Sequence, residues 1–275
     1  MKSALLIVGG ERSLARTIGH LRKNILEPNR PVLFFACETD NSDALVGMFD
    51  GFEIGGSLFL PTFRTSEYQH ILSMCLERTG LSDQVFQRAR EADGIAWSND
   101  YIKQGGTLLQ YYQLWKAWRL LLDYERKHDM KFDFCIKWRL DILITKPLIL
   151  ADIPSQGPEE LMRSMGSDYM KLHPRTTSTN PYYEHAYGTK YTDNTVWTFG
   201  HEQVFLTHRK NFEVFGSMVF WFGVWDSGGP FAFNSETFFH QVCLQNQLVH
   251  WIFMEDSNPL FTYQPDEKHM VTLLR

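Results

Sequence analysis

The chain opens with an apolar run that ends in glycines, SALLIVGG, and continues as ERSLARTIGHLRKNILEPN. In the second piece Leu14, Ile18, Leu21 and Ile25 recur at helical spacing, and Pro28 is expected to end the helix. A second apolar run, RPVLFFACETDN, closes in a polar cluster. Strand, glycine turn, helix, strand is a βαβ unit, which predicts a parallel sheet covered by helices. Ligands of such sheets bind at the carboxyl ends of strands. Gly9, Gly10, Arg12 and the Glu38–Asn41 cluster are therefore predicted on one rim.

Further on, Thr65 to Gly94 is amphipathic at helical period with a break near Gly80. GGTLLQYYQLWKAWRLLLDYERKHDM reads as a long helix, with Thr107 as N-cap and Leu108, Tyr111, Trp115, Trp118 and Leu122 on one face. It leads into FDFCIKWRLDILITKPL, read as one buried strand that Pro147 closes. From Ala151 to Asn194 periodicity is lost and Pro, Ser, Thr and Tyr accumulate, the signature of a functional loop. TVWTFGHEQVFLTHRKNFEVFGSM then alternates before turning helical. A glycine-rich turn, a helix from near Ser235 and a last strand-like segment follow, with a loop-like tail from Asp256.

The strand KWRLD poses the chemical question. Strand side chains alternate faces, so Lys137, Arg139 and Asp141 point one way and Ile136, Trp138, Leu140 and Ile142 the other. Burying an unpaired charge costs several kcal/mol, so Arg139 and Asp141 either pair with each other or reach a polar cleft at the strand's end. A structural ion pair is the plain reading. A guanidinium beside a carboxylate also suits a diphosphate with a divalent cation, the arginine on phosphate oxygens and the aspartate on the metal or its water. The turn VGGERS allows backbone N–H groups to approach a phosphate, with Arg12 adding a contact, or it is an ordinary strand-to-helix turn. It matches neither the three-glycine dinucleotide fingerprint nor the Walker pattern.

Composition narrows the field. Of 275 residues 44% are apolar and 21% charged, with a formal charge of −5, which speaks against a nucleic-acid binder. Cys37, Cys75, Cys135 and Cys243 have neither metal-ligand nor redox spacing and read as free buried thiols. The apolar run before Gly9 is too short for a signal peptide or a membrane span, and no N-glycosylation sequon occurs. The expectation is a soluble protein of a reducing, cytoplasmic compartment. His201, His208, His240 and His250 lack close ligand spacing. Aromatic residues reach 15%, with eight Trp. WFGVW and YYEHAY are candidates for stacking on sugar faces, the loop set first.

Three blocks, ALLIVGGERSLARTIGHLRKNIL, QYYQLWKAWRLLLDYERKHDMKFDFCIKWRLDILITKPL and HEQVFLTHRKNFEVFGSM, in that order resemble a group of small GT-A type glycosyltransferases found in bacteria, plants and large algal viruses. The chlorovirus enzymes that build capsid glycans are similar in length and block order. The resemblance implies an α/β fold, a Rossmann-like, mixed and mostly parallel central sheet flanked by helices. It implies a single domain over 1–275, with a nucleotide-sugar-binding half at 1–150 and an acceptor-binding half at 151–275. In such enzymes the strand after the nucleotide-binding half ends in Asp-X-Asp, which holds a divalent cation, Mn²⁺ or Mg²⁺, on the donor diphosphate. The matching positions are Arg139 and Asp141, so an arginine replaces the first aspartate and Asp141 is left as the metal ligand.

The resemblance also implies that Glu38, Thr39 and Asp40 lie near the base and ribose. It implies that Glu236, in FNSETFF, removes the acceptor hydroxyl's proton, with Asp226 and Glu202 as rivals for that role. The expected reaction moves a sugar from a nucleotide-sugar, a UDP-sugar such as UDP-xylose, to a hydroxyl of an oligosaccharide or glycoprotein glycan with inversion. A viral origin would place it in host cytoplasm. Two alternatives stand beside it: a PAPS-dependent sulfotransferase, which leaves RLD unexplained, and a catalytically inactive sugar- or nucleotide-binding protein.

Overall fold

A computed structural model describes residues 1–11, 14–79, 106–144, 147–155, 170–172, 193–199, 203–221, 238–239, 242–243, 245–255 and 271–273. The opening unit folds as its pattern predicts: β1 (Ser3–Gly10), α1 (Leu14–Leu21) and β2 (Val32–Glu38). Then come α2 (Ser42–Gly47), β3 (Ile54–Leu60), α3 (Ser66–Thr79), the long α4 (Gly106–Lys127) and β4 (Phe134–Arg139). The second half supplies β5 (Ile142–Ile144), β6 (Met170–Leu172), β7 (Thr195–Phe199), β8 (Val204–His208), α5 (Phe212–Gly216), β9 (Val249–Glu255) and β10 (Val271–Leu273).

Eight strands form one sheet in the order β3-β2-β1-β4-β8-β7-β9-β6. β1 is parallel to β2 and β4, β2 to β3, and β7 to β9. β8 runs against both its neighbours and β6 against β9, so the sheet is mixed and mostly parallel. Strands from both sides of residue 150 thus share a single sheet.

Both faces of the parallel half are covered, which is why β1 and β2 read as continuous apolar runs. Leu6, Val8, Phe34 and Ala36 pack beneath α4 with Tyr111, Leu114 and Trp118. Leu5, Ile7, Leu33 and Phe35 meet α1 and its extension through Leu14, Leu21 and Ile25. Among the described residues no helix is long and apolar enough to cross a membrane.

Four expectations change. First, Pro28 does not end the first helix: α1 continues through a π-helical turn at Arg22–Leu26 into Glu27–Asn29 and stops at Arg30, where φ is 46°. Proline lacks the N–H that would reach the carbonyl of Asn24. The Leu148 N–H takes that carbonyl at 2.9 Å instead. Asn29 fastens the same segment, donating to the Leu148 carbonyl at 2.6 Å and accepting from the Leu150 N–H at 2.8 Å.

Second, FDFCIKWRLDILITKPL is not one strand. β4 ends at Arg139, Leu140 and Asp141 turn, and β5 joins β10 in a separate antiparallel pair. The Thr17 hydroxyl on α1 donates to the Leu140 carbonyl at 2.8 Å, so that group is drawn to the helix rather than to β1. Apolar alternation runs unbroken across the turn, which hides it in the sequence. Third, two short strands occur where loops were expected: β6 within 151–194 and β10 in the tail. Fourth, α4 already includes Thr107, so Thr107 is not its cap.

Candidate functional site

Register brings the described residues predicted in the first half to one rim. Gly10 lies beside Glu38 on β2, while Val8 lies beside Arg139 on β4. The glycine turn therefore sits between the ETDN cluster and the end of KWRLD, at the carboxyl ends of three parallel strands. Gly9 has φ 108°, a conformation an L side chain adopts only under strain. An added Cβ there would meet nothing within 4 Å, so the backbone angle, not space, calls for glycine. The turn closes with the Leu14 N–H on the Glu11 carbonyl at 2.8 Å.

On the β2 side the polar residues are wired to each other. Thr39 donates its hydroxyl to Glu11 Oε2 at 2.6 Å and accepts the Asn41 N–H at 2.9 Å. Asn41 caps α2 by accepting the Ala44 N–H on Oδ1 at 3.0 Å. Glu38 Oε1 accepts the Phe63 N–H at 2.8 Å and the Thr62 hydroxyl at 3.3 Å, bracing the turn after β3. Asp40 stands exposed at the tip. Glu38 and Thr39 thus hold the rim's shape, and Asp40 is the member of the three that faces solvent.

On the β4 side the alternation holds up to the turn: Ile136, Trp138 and Leu140 enter the core beneath α1, and Cys135 enters the opposite one. Lys137 is only 1% exposed and donates to Gln110 Oε1 of α4 at 3.4 Å. Arg139 grips Asp141 with a fork, Nε to Oδ1 at 3.1 Å and Nη2 to Oδ2 at 2.5 Å. Their side chains are 29% and 18% exposed, so the pair lies half-buried and open to the rim. The pairing read from the sequence as the plain alternative is met, and the pair stands at the strand's end.

Arg12, Asp226, Glu236, Glu202, His201, His240 and the YYEHAY aromatics lie outside the described residues. Of WFGVW only Trp221 is described; it is 42% exposed, with its indole N–H on Ser217 Oγ at 3.2 Å. His208 packs edge-on to Phe134, and His250 shares a 2.9 Å hydrogen bond with Thr198 inside the sheet. All four cysteines are free and buried, and burial pushes the thiols of Cys37, Cys135 and Cys243 well above their ordinary range. Such thiols are inert packing groups.

Two charged clusters escaped the sequence reading. Glu125 and Arg209, 84 residues apart in the chain, form a buried fork at the opposite end of the sheet, with 2.8 and 2.6 Å contacts. Each sits in a run of charges, DYERKHD and THRKN, that reads as a solvated helix end or turn. On α3 Glu67 accepts from Tyr112 at 2.6 Å and Lys116 at 2.5 Å. Lys116, and then Tyr112, hold the Glu67 carboxyl below its ordinary range, while burial and Glu67 push Tyr112 up to about 12. That cluster clamps α3 to α4. No local spacing announces either one, because each joins segments far apart in sequence.

Among the described residues no group of three or more His, Cys, Asp or Glu gathers as a metal site. Neither a scan against models of protein families nor a search of curated proteins finds a match to this chain. The reading of its function therefore rests on the rim itself.

Proposed function

We propose that the protein is a nucleotide-sugar-dependent glycosyltransferase of GT-A type, transferring a sugar from a UDP-sugar to a hydroxyl of a glycan acceptor. One observation carries the reading: a half-buried arginine–carboxylate pair stands at the carboxyl end of a central parallel strand, next to the β1 glycine turn. In open α/β sheets this is where ligands bind, and a guanidinium there suits a diphosphate. The mixed, mostly parallel sheet agrees with the GT-A resemblance.

In the proposed reaction the bond from the sugar's anomeric carbon to the β-phosphate oxygen breaks, and that oxygen leaves with the electron pair. Arg139, with Arg12 from the turn, stabilises the charge that develops on the departing diphosphate. The acceptor oxygen bonds to the anomeric carbon from the opposite face, and its proton passes to the carboxylate of Glu236. Asp40, exposed beside the turn, would accept hydroxyls of the ribose.

Calorimetric titration of the purified protein with UDP-, GDP- and CMP-sugars tests the reading. Binding of one donor that is lost in Arg139→Gln supports it, and formation of glycosylated acceptor with release of the free nucleotide establishes turnover. Absence of binding by every donor would reduce the pair to a structural contact.

A further inference from the structure

Resting on that reading, we infer that Asp141 is a positioning residue for Arg139 and not a metal ligand, so that the guanidinium itself meets the donor diphosphate and binding requires no divalent cation. The donor set argues against a metal at Asp141. Both carboxylate oxygens already accept from Arg139, at 3.1 and 2.5 Å. A divalent ion on either oxygen would lie against a permanent positive charge, and arginine cannot relieve that repulsion by losing its proton.

The neighbouring polar groups are engaged elsewhere. Lys137, two residues back on the same strand, is held to Gln110 Oε1 of α4 at 3.4 Å. On the neighbouring strand ends, Glu11 is engaged by Thr39, and Glu38 by Thr62 and Phe63. Two hydrogen bonds to Asp141 fix the plane of the guanidinium, and its remaining N–H donors serve phosphate oxygens through the 29% of the side chain left exposed. Thr17, through the Leu140 carbonyl at 2.8 Å, holds the turn that sets Asp141 in place. The arginine occupying the position of the first aspartate is thus a replacement for the cation's charge, with Asp141 as its brace.

The test is calorimetry with UDP and GDP as probes on the full chain, in Mn²⁺ and in EDTA, followed by Asp141→Asn, Asp141→Ala and Arg139→Gln. The expected result is equal affinity of the wild type in both buffers. Asp141→Asn, which keeps an acceptor for the fork, should retain most of the binding. Asp141→Ala and Arg139→Gln should each lose about tenfold or more, an effect of the size expected for a charge-assisted contact. Binding of the wild type that appears only with Mn²⁺ would overturn the inference and leave the transferase reading standing. So would metal-independent binding that ignores the alanine change, or that asparagine impairs as much as alanine. If neither diphosphate binds the wild type in either buffer, the transferase reading fails and takes this inference with it. The wild-type arm decides the metal question even if a variant fails to fold.

Discussion

Two arginine–carboxylate forks stand at opposite ends of one sheet, and their geometry is nearly the same. Arg209 meets Glu125 at 2.8 and 2.6 Å; Arg139 meets Asp141 at 3.1 and 2.5 Å. Their surroundings differ. Arg209 and Glu125 are 5% and 1% exposed. Glu125 also accepts the Phe132 N–H and Lys131 Nζ, both at 3.1 Å, and the Trp118 ring lies 4.3 Å from the Arg209 guanidinium carbon. Burial raises the Glu125 carboxyl, yet hydrogen bonds from Arg209, Phe132 and Lys131 outweigh it and leave the group below its ordinary range. Little capacity remains there for a ligand. The rim pair keeps donors in reserve and an open side. Pair geometry alone does not separate a strut from a binding group; what distinguishes them is the state of the remaining donors and lone pairs.

The largest effect should come from breaking the strut. Glu125→Ala leaves the buried Arg209 with only a 3.5 Å contact to the exposed Glu213, a loss of about 3–5 kcal/mol in urea unfolding. Because the folded Glu125 titrates below its ordinary value of 4.5, its contribution is present above that value and lost as pH falls through the lower folded one. Unfolding midpoints followed from neutral to acid pH should fall more steeply for wild type than for the variant. A parallel pair of curves would contradict the assignment. Next in size is Gly216→Ala. A Cβ at Gly216 would run into the buried Trp118 indole, the ring that covers Arg209. Overpacking of this kind costs about 1–3 kcal/mol, and near-ultraviolet dichroism should report the displaced ring.

The same contrast explains what could be read in advance. The βαβ opening, α4 and the alternation of the segment that forms β7 and β8 were legible, because strand and helix periods act locally. The Arg139–Asp141 pairing was legible as one of two options, since the residues are two apart. The end of β4 was not: Thr17 reaches the Leu140 carbonyl from 123 residues away, and no pattern in either segment marks it. The same holds for the rescue of the Asn24 carbonyl by Leu148, which lets the helix pass Pro28. Glu125 and Arg209 were missed because their charge runs resemble solvent-facing ones. In each case a long-range hydrogen bond, invisible to local spacing, decided the outcome.

Thr17→Val sharpens the comparison from the rim side. The change keeps the branched shape and removes the hydroxyl, leaving the Leu140 carbonyl without that donor, at a cost of about 1 kcal/mol. Amide hydrogen exchange should show faster opening of the Leu140–Asp141 turn with little change at Glu125. Protection that stays unchanged in that turn would mean its conformation does not depend on α1.

The smallest stability effect belongs to the pair proposed to act. Asp141→Asn keeps one acceptor for Arg139 in a half-open place, where solvent screens the lost charge; the expected change is about 0–1 kcal/mol. Set beside Glu125→Ala in the same urea titration, it asks whether the two forks do the same job. A loss as large as that of the buried pair would make Arg139–Asp141 a second strut, and the case for a diphosphate site at this rim would lose its main support. A near-zero loss would mean that the fold does not need the Asp141 charge, which is the condition for a pair free to serve a ligand.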